Sequence, residues 1–173
     1  MTAKIQASPV PWRVMDEQVR EFARQVIDAE ASAVRQMREA IDDAFVRAVD
    51  MVLSCRGALV LSGVGKAGHV ARKLSATFAS TGTPSHFLSP GDALHGDLGS
   101  VRDGDLVLLL SGSGETEEIL RILDVVRRLG RPVIAMTRGP DNTLGKDADC
   151  VLSLGRVEEA CPLKLAPTCS TTA

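Results

Sequence analysis

Asp105-Leu106-Val107-Leu108-Leu109-Leu110 runs directly into Ser111-Gly112-Ser113-Gly114-Glu115-Thr116. The first segment is an apolar run of strand length that stops at a Ser/Gly cluster, and it reads as a buried strand. Beyond the second, Ile119, Ile122, Leu123 and Val126 recur at helical spacing. Residues 111–116 are therefore a strand-to-helix turn. Its two glycines let the backbone curl close to a ligand, and Ser111, Ser113 and Thr116 offer hydroxyl donors. The amides that open the next helix lack intrahelical partners and carry the positive end of its dipole. Such a turn suits a dianionic phosphate. Ser113 or Thr116 could also act as a plain helix N-cap.

On either side the same alternation repeats. Gly57 to Ser62 reads as a strand, and Gly63-Val64-Gly65-Lys66-Ala67-Gly68 opens a helix that runs to about Ser80. A short strand, Ser85 to Leu88, leads into a Gly/Asp-rich loop, Pro90 to Val101, which holds Asp92, His95 and Asp97. Downstream come a C-cap glycine, Gly130, a strand from Pro132 to Thr137, a loop at 138–142, a short helix, and a last strand, Asp149 to Leu154. Strand–helix repetition predicts an α/β fold, with a parallel sheet of five strands covered by helices. Ligands of such sheets sit at the carboxyl ends of the strands, near a topological switch point. The loops starting at Gly63, Ser89, Ser111 and Thr137 are expected there.

Ahead of this unit, residues 1–11 are polar, contain two prolines and read as frayed or extended. From about Trp12 to Ser54 the pattern is helical. Val19, Phe22, Ala23 and Val26 form one face, and Ile41, Ala44, Phe45, Ala48, Val49 and Val52 another, with Asp28–Ala31 either continuing the helix or breaking it. The division expected is an N-terminal helical arm, 1–54, and an α/β domain, 55–173. The arm's apolar stripe must pack on the parent domain or on a partner subunit.

A chain of 173 residues is long enough for one real core. A net charge of −2 gives no electrostatic reason to expect nucleic acid or an anionic membrane. With no Tyr, one Trp and four Phe, base-stacking platforms are not expected. Cys55, Cys150, Cys161 and Cys169 show no CxxC spacing and no neighbouring His, so neither a zinc site nor a disulfide framework is suggested. No run approaches the ~18 apolar residues of a membrane span. The N-terminus lacks a signal-peptide pattern, and the expected location is the cytoplasm.

Gly63-Val64-Gly65-Lys66-Ala67-Gly68 matches the dinucleotide fingerprint G-x-G-x-x-G. That chemistry also needs an acid about 20 positions on, at the end of the second strand. Here the strand ends in Leu88-Ser89-Pro90, and the nearest acid, Asp92, lies beyond Gly91. A Walker A reading fails because Val60 and Ala67 stand where Gly and Ser/Thr are required. A nucleotide-dependent oxidoreductase is therefore disfavoured against a tight turn.

Together with Ala79-Ser80-Thr81-Gly82-Thr83-Pro84, His95-Gly96-Asp97-Leu98-Gly99 and Glu159-Ala160-Cys161-Pro162-Leu163-Lys164-Leu165-Ala166-Pro167-Thr168, these turns resemble the sugar isomerase (SIS) domain family. The similarity covers roughly residues 50–173, and the last segment narrows it to the arabinose 5-phosphate isomerase branch that feeds Kdo synthesis. The resemblance implies a flavodoxin-like three-layer αβα sandwich. It also implies an aldose–ketose isomerase interconverting arabinose 5-phosphate and ribulose 5-phosphate, for Kdo and lipopolysaccharide biosynthesis. It carries phosphate binding onto Ser111, Ser113 and Thr116, and catalysis onto Lys66, Glu115 and Glu159, with Gly65 and His95 among the substrate-contacting positions. Isomerisation through an enediol(ate) needs a carboxylate base and a stabiliser of oxyanion charge. Glu159 or Glu115 fits the first role and Lys66 the second; no metal or organic cofactor is implied. Glu115 also suits the dipole of a first helical turn, and His95 suits a structural role in its Gly-rich turn.

The family typically forms tetramers with sites shared between subunits, so a homo-oligomer is expected. SIS domains also serve in regulators, which leaves a non-catalytic sugar-phosphate sensor as the alternative. Three departures from the family pattern stand out. The sequence stops at Thr171-Thr172-Ala173, where the family's long C-terminal helix, its His-containing segment and often a CBS pair follow, so a C-terminally incomplete domain is expected. Gly112 stands where a polar side chain is usual, and Lys164 where Gly is usual.

Overall fold

The five apolar runs hydrogen-bond side by side as strands β1 (Leu59–Gly63), β2 (Ser85–Phe87), β3 (Leu106–Leu110), β4 (Val133–Thr137) and β5 (Cys150–Ser153). The computed structural model describes residues 16–155, 157–163 and 166–172. The expected extended segment 1–11, Trp12 and Lys164 lie outside the described residues. The strand order is β2-β1-β3-β4-β5, and every neighbouring pair is parallel, with Leu59 opposite both Ser85 and Leu106, Val107 opposite Val133, and Ile134 opposite Cys150. Every residue of β1 and β3 is buried, because a parallel sheet is covered on both faces and its strands carry no polar side.

The helices are α1 (Asp16–Met37), α2 (Asp43–Leu53), α3 (Gly65–Ser80), α4 (Pro90–Leu94), α5 (Glu117–Arg128), α6 (Thr143–Asp147) and α7 (Cys169–Thr172). Strand pleating sends Val60, Val107, Leu109, Val133 and Ala135 to one face, against Ala93 of α4, the stripe Ile119, Ile122, Leu123 and Val126 of α5, and Leu144 of α6. Leu59, Leu61, Leu106, Leu108, Leu110 and Ile134 form the other face, against Ala71 of α3 and Ala48 of α2. The result is the three-layer α/β architecture expected. Strand order reverses between β1 and β3, so the helices that follow these two strands lie on opposite faces and leave a crevice between their starts.

Two local readings change, at Pro90–Val101 and at Ile41, and one left open, at Asp28–Ala31, is settled. The Pro90–Val101 segment, expected as a loop, contains α4 and a 3-10 turn, Asp97–Ser100. Pro90 sits at the helix start, and Pro90 and Ala93 are buried, so a short apolar pattern was hidden among Gly and Asp. Asp28–Ala31 does not break α1; the break comes at 38–42, where the Asp42 carboxylate accepts from the Ala44 and Phe45 amides (2.9 and 3.3 Å) and caps α2. Ile41 therefore lies outside the helix and is exposed.

Candidate active site at the strand switch point

The starts of α3 and α5 flank the crevice at the carboxyl ends of β1 and β3. Neither helix has a side-chain cap: Val64 and Thr116 occupy the N-cap positions without a capping hydrogen bond. By contrast α2 and α6 are closed by Asp42 and Asn142. The plain N-cap reading of Ser113 and Thr116 thus gives way, since the Ser113 hydroxyl accepts instead from the Glu115 amide at 3.2 Å. Two uncapped helix N-termini thus border one crevice, an arrangement that favours an anion.

Glycines set both turns. Gly63 and Gly68 let β1 and α3 touch: a Cβ on Gly68 would lie 2.5 Å from the Gly63 carbonyl oxygen, and one on Gly63 would lie 2.9 Å from the Ala67 carbonyl. The fingerprint spacing therefore has a packing cause. In the second turn Gly114 adopts φ +70°. Its amide donates to the Ser111 carbonyl and to the Ser111 hydroxyl oxygen, both at 3.1 Å. The Ser111 and Thr116 hydroxyls bond to each other at 2.8 Å. One hydroxyl proton of that pair remains available to a ligand.

The turn is braced from α6. Glu115 accepts from the Thr143 amide and from the Thr143 hydroxyl, each at 2.8 Å, and the Leu144 amide donates to the Gly114 carbonyl at 3.0 Å. These bonds, the backbone one first, hold the Glu115 carboxyl below the usual carboxylate range. Glu115 is exposed, and it is tied to α6 rather than set in the crevice wall.

The crevice is a cavity of about 840 Å³. Its wall joins Lys66, Ser111, Ser113, Thr116 and Glu159 from the expected set. Gly65, at φ +59°, begins α3 just before Lys66. His95 is exposed and lies outside this wall, because the chain after β2 crosses to the α5 face. The Lys66 ammonium has no partner among the described residues. Glu159 is held by the start of α7: its Oε2 accepts from the Thr168 amide (2.6 Å), the Thr168 hydroxyl (3.2 Å) and the Ser170 amide (3.4 Å), while the Ser170 hydroxyl donates to Oε1. Burial pushes this carboxyl up, but the Ser170 and Thr168 donors outweigh it and keep it below the ordinary range.

Sequence reading missed several wall residues. His69 and Lys73 follow Lys66 at i+3 and i+7 on α3, a spacing that could have flagged them. Arg138, at the end of β4, and Ser170 to Thr172 of α7 come from segments without a motif. Among the described residues no group of three or more His, Cys, Asp and Glu side chains is gathered to hold a metal ion. No helix among them is long and apolar enough to cross a membrane.

The SIS domain family model matches residues 52–173. The arabinose 5-phosphate isomerase KpsF of Escherichia coli is 45% identical over 150 residues, covering 86% of this chain and 46% of its own length. The arabinose 5-phosphate isomerase KdsD of Pseudomonas aeruginosa is 47% identical over 150 residues, covering 87% and 46%. The chain thus spans a little under half the length of these curated relatives. Among solved structures, c3406 of E. coli CFT073 in complex with arabinose 5-phosphate superimposes with a TM-score of 0.87 at 39% identity, over 91% of this chain and 84% of that one.

Proposed function

The chain belongs to the SIS domain family, and from that premise we propose that it is an aldose–ketose isomerase interconverting arabinose 5-phosphate and ribulose 5-phosphate. The observation that carries this is the cavity in which Lys66 and Glu159 face a Ser/Thr turn set between two uncapped helix starts. The arabinose 5-phosphate isomerases among its relatives and the neighbour solved with arabinose 5-phosphate support the choice of sugar.

The phosphate sits on the hydroxyls of 111–116 and on the amides of that turn and of the α5 start that lack a partner. Glu159 removes the C2 proton of the aldose, and the electron pair moves onto the carbonyl oxygen at C1, giving an enediolate. The Lys66 ammonium stabilises that oxyanion. Glu159 returns the proton to C1 and the hydroxyl proton passes from O2 to O1, which completes the ketose with no net oxidation. Oε2 of Glu159 is held by three donors and Oε1 by one; Oε1 keeps a lone pair for the reacting carbon. Glu115 serves as a positioning residue, holding the turn against α6.

In the same proposal the chain occupies the 1–54 and 55–173 division, assembles as a homotetramer and works in the cytoplasm, supplying Kdo and lipopolysaccharide synthesis. The deciding experiment follows C1 and C2 of arabinose 5-phosphate by proton NMR in D₂O. Conversion, or deuterium entering at C2, is expected. Glu159→Gln should slow both by about 10²- to 10⁴-fold while keeping affinity for inorganic phosphate. Ligand broadening without conversion or exchange would overturn the isomerase and favour a sensor.

A further inference from the structure

We propose that Arg138 is a further substrate-binding residue, a guanidinium that supplies the positive charge the 111–116 turn lacks and that sets affinity for the phosphate of the substrate. The proposal rests on the phosphate-binding reading of this cavity.

The turn is neutral in its hydroxyls and surrounded by acid. Glu115 precedes α5, and Glu117 and Glu118 occupy its first turn. Glu117 is paired with Arg121 on the helix surface, and Glu115 is ionised through its bonds to Thr143. A dianion seated on the α5 start gains from the open amides but meets the field of these carboxylates. It therefore calls for a cation on the cavity side.

The lysine and arginine side chains in the wall are Lys66 and Lys73 on α3, and Arg138. Lys66 is assigned to the oxyanion at the other end of the sugar. Arg138 is the cation joined to the turn by its backbone: its amide donates to the Gly112 carbonyl at 3.2 Å, which fixes its Cα beside the serines. Gly112 leaves room there, since a Cβ built on it meets nothing within 4 Å. The guanidinium is exposed and has no partner among the described residues, so no structural ion pair accounts for it. It also borders an adjoining cleft that Glu158 helps to line. A guanidinium can grip phosphate with two parallel hydrogen bonds, whereas an ammonium offers a point charge.

The test compares wild type, Arg138→Gln and Arg138→Lys in two ways: steady-state kinetics with arabinose 5-phosphate, and titration of inorganic phosphate followed by ³¹P NMR. Arg138→Gln is expected to weaken phosphate binding and raise KM by about tenfold or more, with the loss in kcat/KM carried by KM; Arg138→Lys should recover part of it. Unchanged phosphate affinity in Arg138→Gln, or a loss carried by kcat alone, would overturn the role. So would a wild type that does not bind phosphate. If the wild type binds phosphate without isomerising the sugar, and Arg138→Gln weakens that binding, the isomerase fails and Arg138 stands.

Discussion

Two glutamates that look alike in sequence sit in different hydrogen-bond settings, and these divide them. Glu115 is tied by Thr143 to α6. Glu159 lines the cavity, but four donors from Thr168 and Ser170 make it a weak base that is always ionised near neutral pH. The sign follows from the direction: a carboxyl held below its ordinary value loses its charge only as pH falls beneath about 4.3. The acid limb of kcat/KM near pH 6 should then belong to the second ionisation of the substrate phosphate, with Glu159 contributing a second limb at lower pH. Ser170→Ala removes the hydroxyl donor to Oε1 and should move that lower limb upward while the phosphate limb stays in place. A lower limb identical in the variant and the wild type would dissociate Glu159 from the rate profile.

At the scale of elements, the 111–116 turn keeps its shape because α6 is docked onto it. Gly114 is the contact: at φ +70° a Cβ there would fall 1.9 Å from Oδ1 of Asn142, the atom that caps α6 through the Gly145 amide. Gly114→Ala combines left-handed strain with loss of that cap and should cost about 2–3 kcal/mol in urea denaturation. Gly112→Ala, two residues away with open space around it, should stay within about 0.5 kcal/mol. Equal costs would mean that the bracing is not what holds the turn. The strands and the long α3 and α5 were legible because buried parallel strands and amphipathic helices write their periods into the sequence. That Lys66, Ser111, Ser113 and Glu159 would come together in one cavity wall was legible through their motifs. Arg138, Asn142, Thr143 and Ser170 were not, since each reaches the turn or the cavity from a distant loop or helix start whose local sequence has no reason to announce a tertiary partner.

At the scale of the whole molecule, α1 is covered at one end and bare at the other. Val19, Phe22, Val26 and Ala33 fall on one stripe by their spacing of three, four and seven. Ala33 is buried at 4% exposure where the helix lies against the body, whereas Val19 and Phe22 are 55% and 47% exposed. Phe45, Val46 and Val49 of α2 and Leu53 at its end add further exposed apolar area. The ion pairs of Glu17 and Glu21 with Arg20 and Arg24 are solvent-exposed and contribute little, so they do not explain why a 22-residue helix extends past its support. Burying each large side chain against a second copy would gain about 1.5–3 kcal/mol, and several together offset the cost of association. Sedimentation velocity should therefore give a mass above that of one chain at micromolar concentration, falling toward the monomer on dilution. Phe22→Asp should shift that equilibrium toward the monomer while leaving the circular dichroism of the α/β body intact. A monomer mass at every concentration, for the wild type, would remove the second copy as the stripe's partner.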